Sequence, residues 1–205
     1  MRYINGQAQG AIPKGILFFR IIPKDLYVKS EYQDNLTGIA NQRQFDRQFK
    51  RAWLSAQKTG NPLSFLLCDV DHFTCFNDCY GRSAGDACLR QIAECLQTTL
   101  HRPPDLAARY EGDKFAILLP YTEAHDTRII ADQMLTSVRA LAIPHKQSDI
   151  ARMVTISIGG HSLWPALGSS IKTITNLAET HLFQAKHCGR NQSRLSITCR
   201  VTFNN

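Results

Sequence analysis

Residues 109–115 read RYEGDKF: one glycine among alternating charges, set between two strand-like apolar runs, LAARY (106–110) and KFAILLP (114–120). This predicts a hairpin whose tight turn carries Asp113, with Lys114 directly beside it. Further carboxylates lie upstream. PLSFLLCDVD (62–71) is a continuous apolar run ending in Asp69 and Asp71, which suits a buried strand whose end points at something charged. If the two strands are neighbours, Asp69 and Asp113 can share one cation. Oxygen-only ligands at a strand end suit Mg²⁺, which keeps waters and takes one or two carboxylates plus substrate phosphates. The competing expectation is that D-x-D merely solvates a strand end, since no spacing rule singles the pair out.

Several elements must hold these groups. Phe45, Phe49 and Trp53 recur every four residues, predicting a helix that ends at Gly60. Residues 83–100 read as a helix with Ala87, Leu89, Ile92, Ala93 and Leu96 inward, and 125–141 as another. RMVTISIGGHS (152–162) reads as a strand stopped by its glycine pair, 170–191 as a helix with Gly189 near its end, and LSITCRVTF (195–203) as a last strand. Strands and helices alternate, but one strand pair is a plain hairpin. The expected class is therefore α+β, not a doubly wound parallel sheet. The expected boundaries are an irregular extension or linker over 1–33, a domain over 34–197 and a tail over 198–205.

Composition narrows the classes. The 205 residues are 43% hydrophobic and 20% charged, and no run approaches the length of a membrane span. A cytoplasmic protein, or a piece of one, is expected. The formal charge of +7 is scattered along the chain, so nucleotide phosphates satisfy it as well as DNA would, and no nucleic-acid partner is expected. Seven cysteines without a C-x-x-C fit a reducing compartment. Cys75 and Cys79 have no second close Cys or His pair to complete a zinc site.

Six segments in order resemble the GGDEF family of diguanylate cyclases, which condense two GTP into cyclic di-GMP: DNLTGIANQRQF, CDVDHFTCFNDCYGRSAGDACL, RYEGDKFAILLP, VTISIGG and AKHCGRN, with R-x-x-D at Arg102–Asp105. The resemblance runs from about Asp34 to Arg194. It implies a central, mainly antiparallel sheet flanked by helices, similar to the palm of nucleotide cyclases and polymerases. Position by position, it implies that Asp69, the Val70 carbonyl and Asp113 bind Mg²⁺ when GTP is bound, with Asp113 also the catalytic base of an active enzyme. Asn77 and Asp86 would bind guanine. Lys186 and Arg190, four apart and so on one helical face, would clamp the triphosphate. Arg102 and Asp105 would form the product site, the arginine on a phosphate and a guanine edge and the aspartate on guanine N–H groups, in a loop pre-ordered by Pro103 and Pro104. Arg128 is available as a further arginine for that site.

The signature departs from G-G-D/E-E-F. Glu111 stands at the first glycine, Gly112, Asp113 and Phe115 are kept, and Lys114 replaces an acid. If the turn needs φ > 0 at Glu111, the backbone resists by about 1–2 kcal/mol. An ammonium roughly 4 Å from Mg²⁺ is repelled by several kcal/mol at a dielectric of about 20. Glu111 and Lys114 are instead placed to pair across the turn. Thr74 replaces a phosphate-contacting lysine and Arg82 a histidine. Three functions remain open: a non-catalytic cyclic di-GMP receptor that also holds GTP, an active cyclase working as an antiparallel homodimer, and a partner domain that binds no nucleotide and acts on a downstream protein.

Overall fold

The computed structural model describes residues 31–166 and 169–198. Most of the expected extension (1–30) and the end of the expected last strand (199–203) lie outside the described residues.

The elements run β1 (Ala40–Asn41), α1 (Gln42–Thr59), β2 (Leu63–Val70), α2 (Phe73–Tyr80), α3 (Arg82–Thr99), β3 (Leu106–Glu111), β4 (Lys114–Pro120), α4 (Ala124–Ala140), β5 (Ile156–Leu163), α5 (Ile171–His187) and β6 (Ser193–Thr198). The strands form one sheet in the order β1-β3-β4-β2-β5-β6. The three inner pairings are antiparallel and the two outer ones parallel. This is the mainly antiparallel, helix-flanked α+β arrangement expected from the sequence.

Local chemistry sets the ends of α1. Asn41 caps its N-terminus, accepting from Gln44 N at 3.0 Å, and Gly60 ends it at φ +68, where a residue without Cβ is unstrained. Its stripe of Phe45, Phe49, Trp53 and Ala56 packs with α5 on one face of the sheet. On the other face, α2, α3 and α4 cover the second core around Leu66, Cys68, Phe115 and Ile117. β2 is buried along its whole length between β4 and β5. No described helix is long and apolar enough to cross a membrane.

Four expectations need correction. The glycine pair does not stop the strand: β5 runs through it to Leu163. A Cβ at Gly159 would lie 2.0 Å from Leu182 N and 2.2 Å from Ala178 O, so α5 rests its backbone directly on the strand. The 152–155 segment precedes β5, contributing an isolated bridge from Met153 to Pro144. In α3, Ala87 is exposed, and Gly85 and Cys88 take inner positions instead. The short helix α2 lies in the segment following β2, where no element was expected. Gly159→Ala should lower stability by about 1–3 kcal/mol, because the clash is with backbone that cannot rotate away. The check is the urea midpoint at unchanged m-value.

His161 ties β5 to β6, its ring nitrogens lying 2.6 Å from Ser196 Oγ and 3.0 Å from Thr198 Oγ1. Burial, with a smaller contribution from His181, lowers its pKa to about 4. The unfolded chain binds this proton near pH 6.5 and the folded one does not, so stability is full above that pH and falls as pH drops toward 4. Between pH 7 and 4, His161→Gln should show a smaller decline in melting temperature than the parent chain.

Candidate functional site

Two carboxylates and two ammonium groups gather at the end of β2. Strand register sets Asp69 opposite Lys114 on one side and Ser157 on the other. Val70 N lies 3.4 Å from Asp113 O, drawing the hairpin turn to the same place. Lys186, in the last turn of α5, places Nζ 2.5 Å from Asp69 Oδ1. The Asp69 side chain is only 6% exposed. Burial pushes its carboxyl above the usual range. The Lys186 hydrogen bond and charge oppose that shift, Asp113 reinforces it, and Lys114 opposes it.

The hairpin turn is built from both sides. Gly112 takes φ +56 at the first loop position, where a type II′ turn wants glycine. Glu111 is not among the positive-φ residues, so the backbone strain expected there is absent. Its carboxylate lies 3.9 Å from Lys114 Nζ, the cross-turn pair expected from the sequence. With the two side chains 78% and 40% exposed, the pair is weak. Arg109 braces the turn, donating from Nε to Gly112 O at 2.9 Å and from Nη1 to Asp34 Oδ1 at 3.2 Å. Burial raises the Asp34 carboxyl, but hydrogen bonds from Thr37 and Arg109 hold it below its ordinary value. Phe115 is fully buried behind the turn.

Asp71 is not part of this cluster. It accepts from Thr155 Oγ1 and Ser157 Oγ at 2.7 Å each and from Asn191 N at 3.1 Å. It therefore fastens the chain after α5 to the sheet. Arg190 needs a correction too. α5 ends at His187, and Arg190 follows in the left-handed region at φ +58, so Lys186 and Arg190 do not share a helical face.

Beside the cluster lies a cleft of about 330 Å³ lined by Phe73, Asn77, Asp86, Leu89, Arg109 and Asp113, with Thr74 and Arg82 also contributing. Asn77 Oδ1 is buried with no hydrogen-bond partner among the described residues. A buried acceptor left open is costly and calls for a donor. Gly85 makes room for this amide: a Cβ there would meet Asn77 Oδ1 at 1.9 Å.

Arg102 and Asp105 form a closed side-on pair, Nη2 to Oδ1 at 2.7 Å and Nε to Oδ2 at 3.1 Å. Arg102 also donates to Pro120 O at 3.0 Å and contacts Thr122 Oγ1. The hydrogen bond it donates to Asp105 raises the guanidinium pKa. The Asp105 side chain is 2% exposed and that of Arg102 42%. A ligand reaching Asp105 must share it with Arg102 or open the pair. An adjacent groove of about 300 Å³ is lined by Arg51, Ser55, Pro103, Pro104 and Tyr121. Arg128 sits exposed on α4.

The family profile described as diguanylate cyclase, GGDEF domain, matches residues 31–192. The chain belongs to the GGDEF family. Among its relatives, the cyclic di-GMP phosphodiesterase NbdA of Pseudomonas aeruginosa is 30% identical over 161 residues, covering 78% of this chain and 20% of NbdA. The diguanylate cyclase VdcA of Vibrio cholerae is 31% identical over 160 residues, covering 78% and 45%. This chain thus spans less than half the length of either. The coiled coil and GGDEF domain of DgcB from Caulobacter crescentus, solved in complex with c-di-GMP, superposes with a TM-score of 0.76 at 27% identity, over 84% of this chain and 90% of that one.

Diguanylate cyclases of the GGDEF family generally use Mg²⁺. The β2–β4 register and the Val70 N contact to Asp113 O bring Asp69, the Val70 backbone and Asp113 to one place, where their oxygens are of the kind that would hold such an ion once phosphates complete its shell. Among the described residues, no three Asp, Glu, His or Cys side chains gather into a metal cluster. Sequence reasoning missed the brace formed by Asp34 and Arg109. Their charges, set beside apolar runs in two GGDEF motifs, were the available signal. It also missed Thr122, for which the sequence held no signal.

Proposed function

We propose that this GGDEF domain reads cyclic di-GMP at Arg102 and Asp105 and does not synthesise it. The observation that carries the loss of synthesis is the register of β2 against β4, which sets Lys114 opposite Asp69. An ammonium there opposes the second positive charge that a metal-assisted attack on GTP would need. Support for reading comes from the Arg102–Asp105 pair, held in place by Pro120 and Thr122 with its guanidinium still 42% exposed. The DgcB domain bound to c-di-GMP adds support by likeness. This reading places the chain in the cytoplasm, permits a monomer as well as a homodimer, and has it pass its state to a downstream protein.

A second reading, that the domain also holds GTP with Mg²⁺ and retains cyclase activity as a homodimer, is favoured by one feature. Among the described residues, Asn77 Oδ1 has no hydrogen-bond partner, and it lies beside a cleft that also presents Asp86 and Asp113. There Asn77 and Asp86 would take the guanine edge, Asp69, Val70 and Asp113 the cation, and Lys186 and Arg190 the phosphates.

Calorimetric titration with cyclic di-GMP, then with GTP and Mg²⁺, followed by product analysis, separates the readings. Cyclic di-GMP binding without product from GTP is expected. Product from the parent chain overturns the proposal, and silence toward both ligands leaves only a partner-domain role.

A further inference from the structure

We propose that Lys186 is a resident counter-ion of Asp69, released only when a triphosphate draws it away, so that a divalent cation enters this site together with nucleotide and not before it. The inference rests on the GTP-binding reading of the Asn77 cleft for its ligand, but the Lys186 contact stands independently of it.

The contact itself is short and shielded. Nζ and Oδ1 are 2.5 Å apart, and the two side chains are 30% and 6% exposed. A charge-assisted hydrogen bond in such surroundings is little screened by salt. It occupies one oxygen of the carboxylate that a cation would need. Two ammonium groups already stand by this carboxylate: Lys186 on Asp69, and Lys114 opposite Asp69 in the sheet, itself 3.9 Å from Glu111. A free divalent ion approaching Asp69 meets these two ammonium groups and gains little. A triphosphate changes the sign of the problem, since it brings several negative charges and can accept from Lys186.

Lys186 is also built to switch partners. The α5 backbone is fixed against β5 at Gly159, where it approaches so closely that no Cβ fits. Lys186 follows that contact by one helical turn and reaches Asp69 on a long, rotatable side chain. Arg190, just beyond the helix, has no carboxylate within 4.0 Å among the described residues. It is a second cation free to meet phosphate as Lys186 leaves. The coupling is reciprocal: whatever nucleotide adds to cation affinity, the cation adds to nucleotide affinity.

Mn²⁺ serves as the probe, followed by electron paramagnetic resonance of the free ion. Without nucleotide, the parent chain should take up no Mn²⁺ at this site. Lys186→Met should bind it at least about tenfold more tightly, because the carboxylate is then left without its partner. Asp69→Asn in that background should remove the gain, and Lys186→Arg, which keeps the charge, should stay free of Mn²⁺. Equal uptake by the parent chain and Lys186→Met, or no uptake by either, overturns the role of Lys186. If Lys186→Met gains Mn²⁺ but GTP does not bind the parent chain, the counter-ion is established, while coupling to nucleotide falls with the cleft reading.

Discussion

Arg102→Ala should weaken cyclic di-GMP binding by at least about a hundredfold in calorimetry, since a bidentate charge-assisted fork is removed. The guanidinium contributes twice: it can offer a phosphate or a guanine edge planar donors, and it holds Asp105 in place through Nη2 and Nε. Loss of the fork also strands a carboxylate whose side chain is 2% exposed. Because Arg102 itself is 42% exposed, solvent screens the pair, and the stability cost should stay near 1–2 kcal/mol. Arg102→Lys separates the two effects. It keeps a charge near Asp105 and most of the stability but loses the planar geometry, so affinity should still fall about tenfold. Undiminished binding by Arg102→Ala would place the ligand elsewhere on the molecule.

The second large effect is a gain. The double variant Glu111→Gly, Lys114→Glu should form cyclic di-GMP from GTP at least about a hundredfold faster than the parent chain, read by product chromatography. Lys114→Glu alone changes the charge opposite Asp69 by two units, from +1 to −1, and is expected to supply most of the gain. Glu111 lies at ordinary backbone dihedrals with a side chain 78% exposed. Its replacement by glycine therefore relieves no strain. It clears a carboxylate from the approach to the turn, at an entropic cost of about 0.5–1 kcal/mol. A double variant that binds GTP but forms no product would move the loss of synthesis to Thr74 and Arg82, which also line the cleft.

Much of the fold was legible because period and punctuation are local. The four-residue stripe of α1 and its end at Gly60, the hairpin of β3 and β4, and the apolar run of β2 were all readable from nearest neighbours in the sequence. α2 was not. Its FTCFNDCY is only eight residues long, enters from His72 in a left-handed conformation and ends at Gly81. So short a helix shows too few turns for a periodic stripe to register. The glycine pair misled for a different reason. A strand-breaking signal and a close-packing signal look the same in sequence, and only the backbone of α5 lying on Gly159 tells them apart.

The sequence by itself determined the family, the α+β class and which residue types stand at the end of β2 and in the hairpin turn, including the lysine where an acid would be expected. These follow from residue identity and order alone. The tertiary structure decided where the charged side chains spend their contacts. It sent Asp71 to Thr155, Ser157 and Asn191 and Lys186 to Asp69, closed Arg102 onto Asp105, and took Arg190 off the helix. Strand register fixes which Cα atoms face one another. A long charged side chain instead takes the nearest partner in space, and for Asp69 and Lys186 that partner lies 117 residues away.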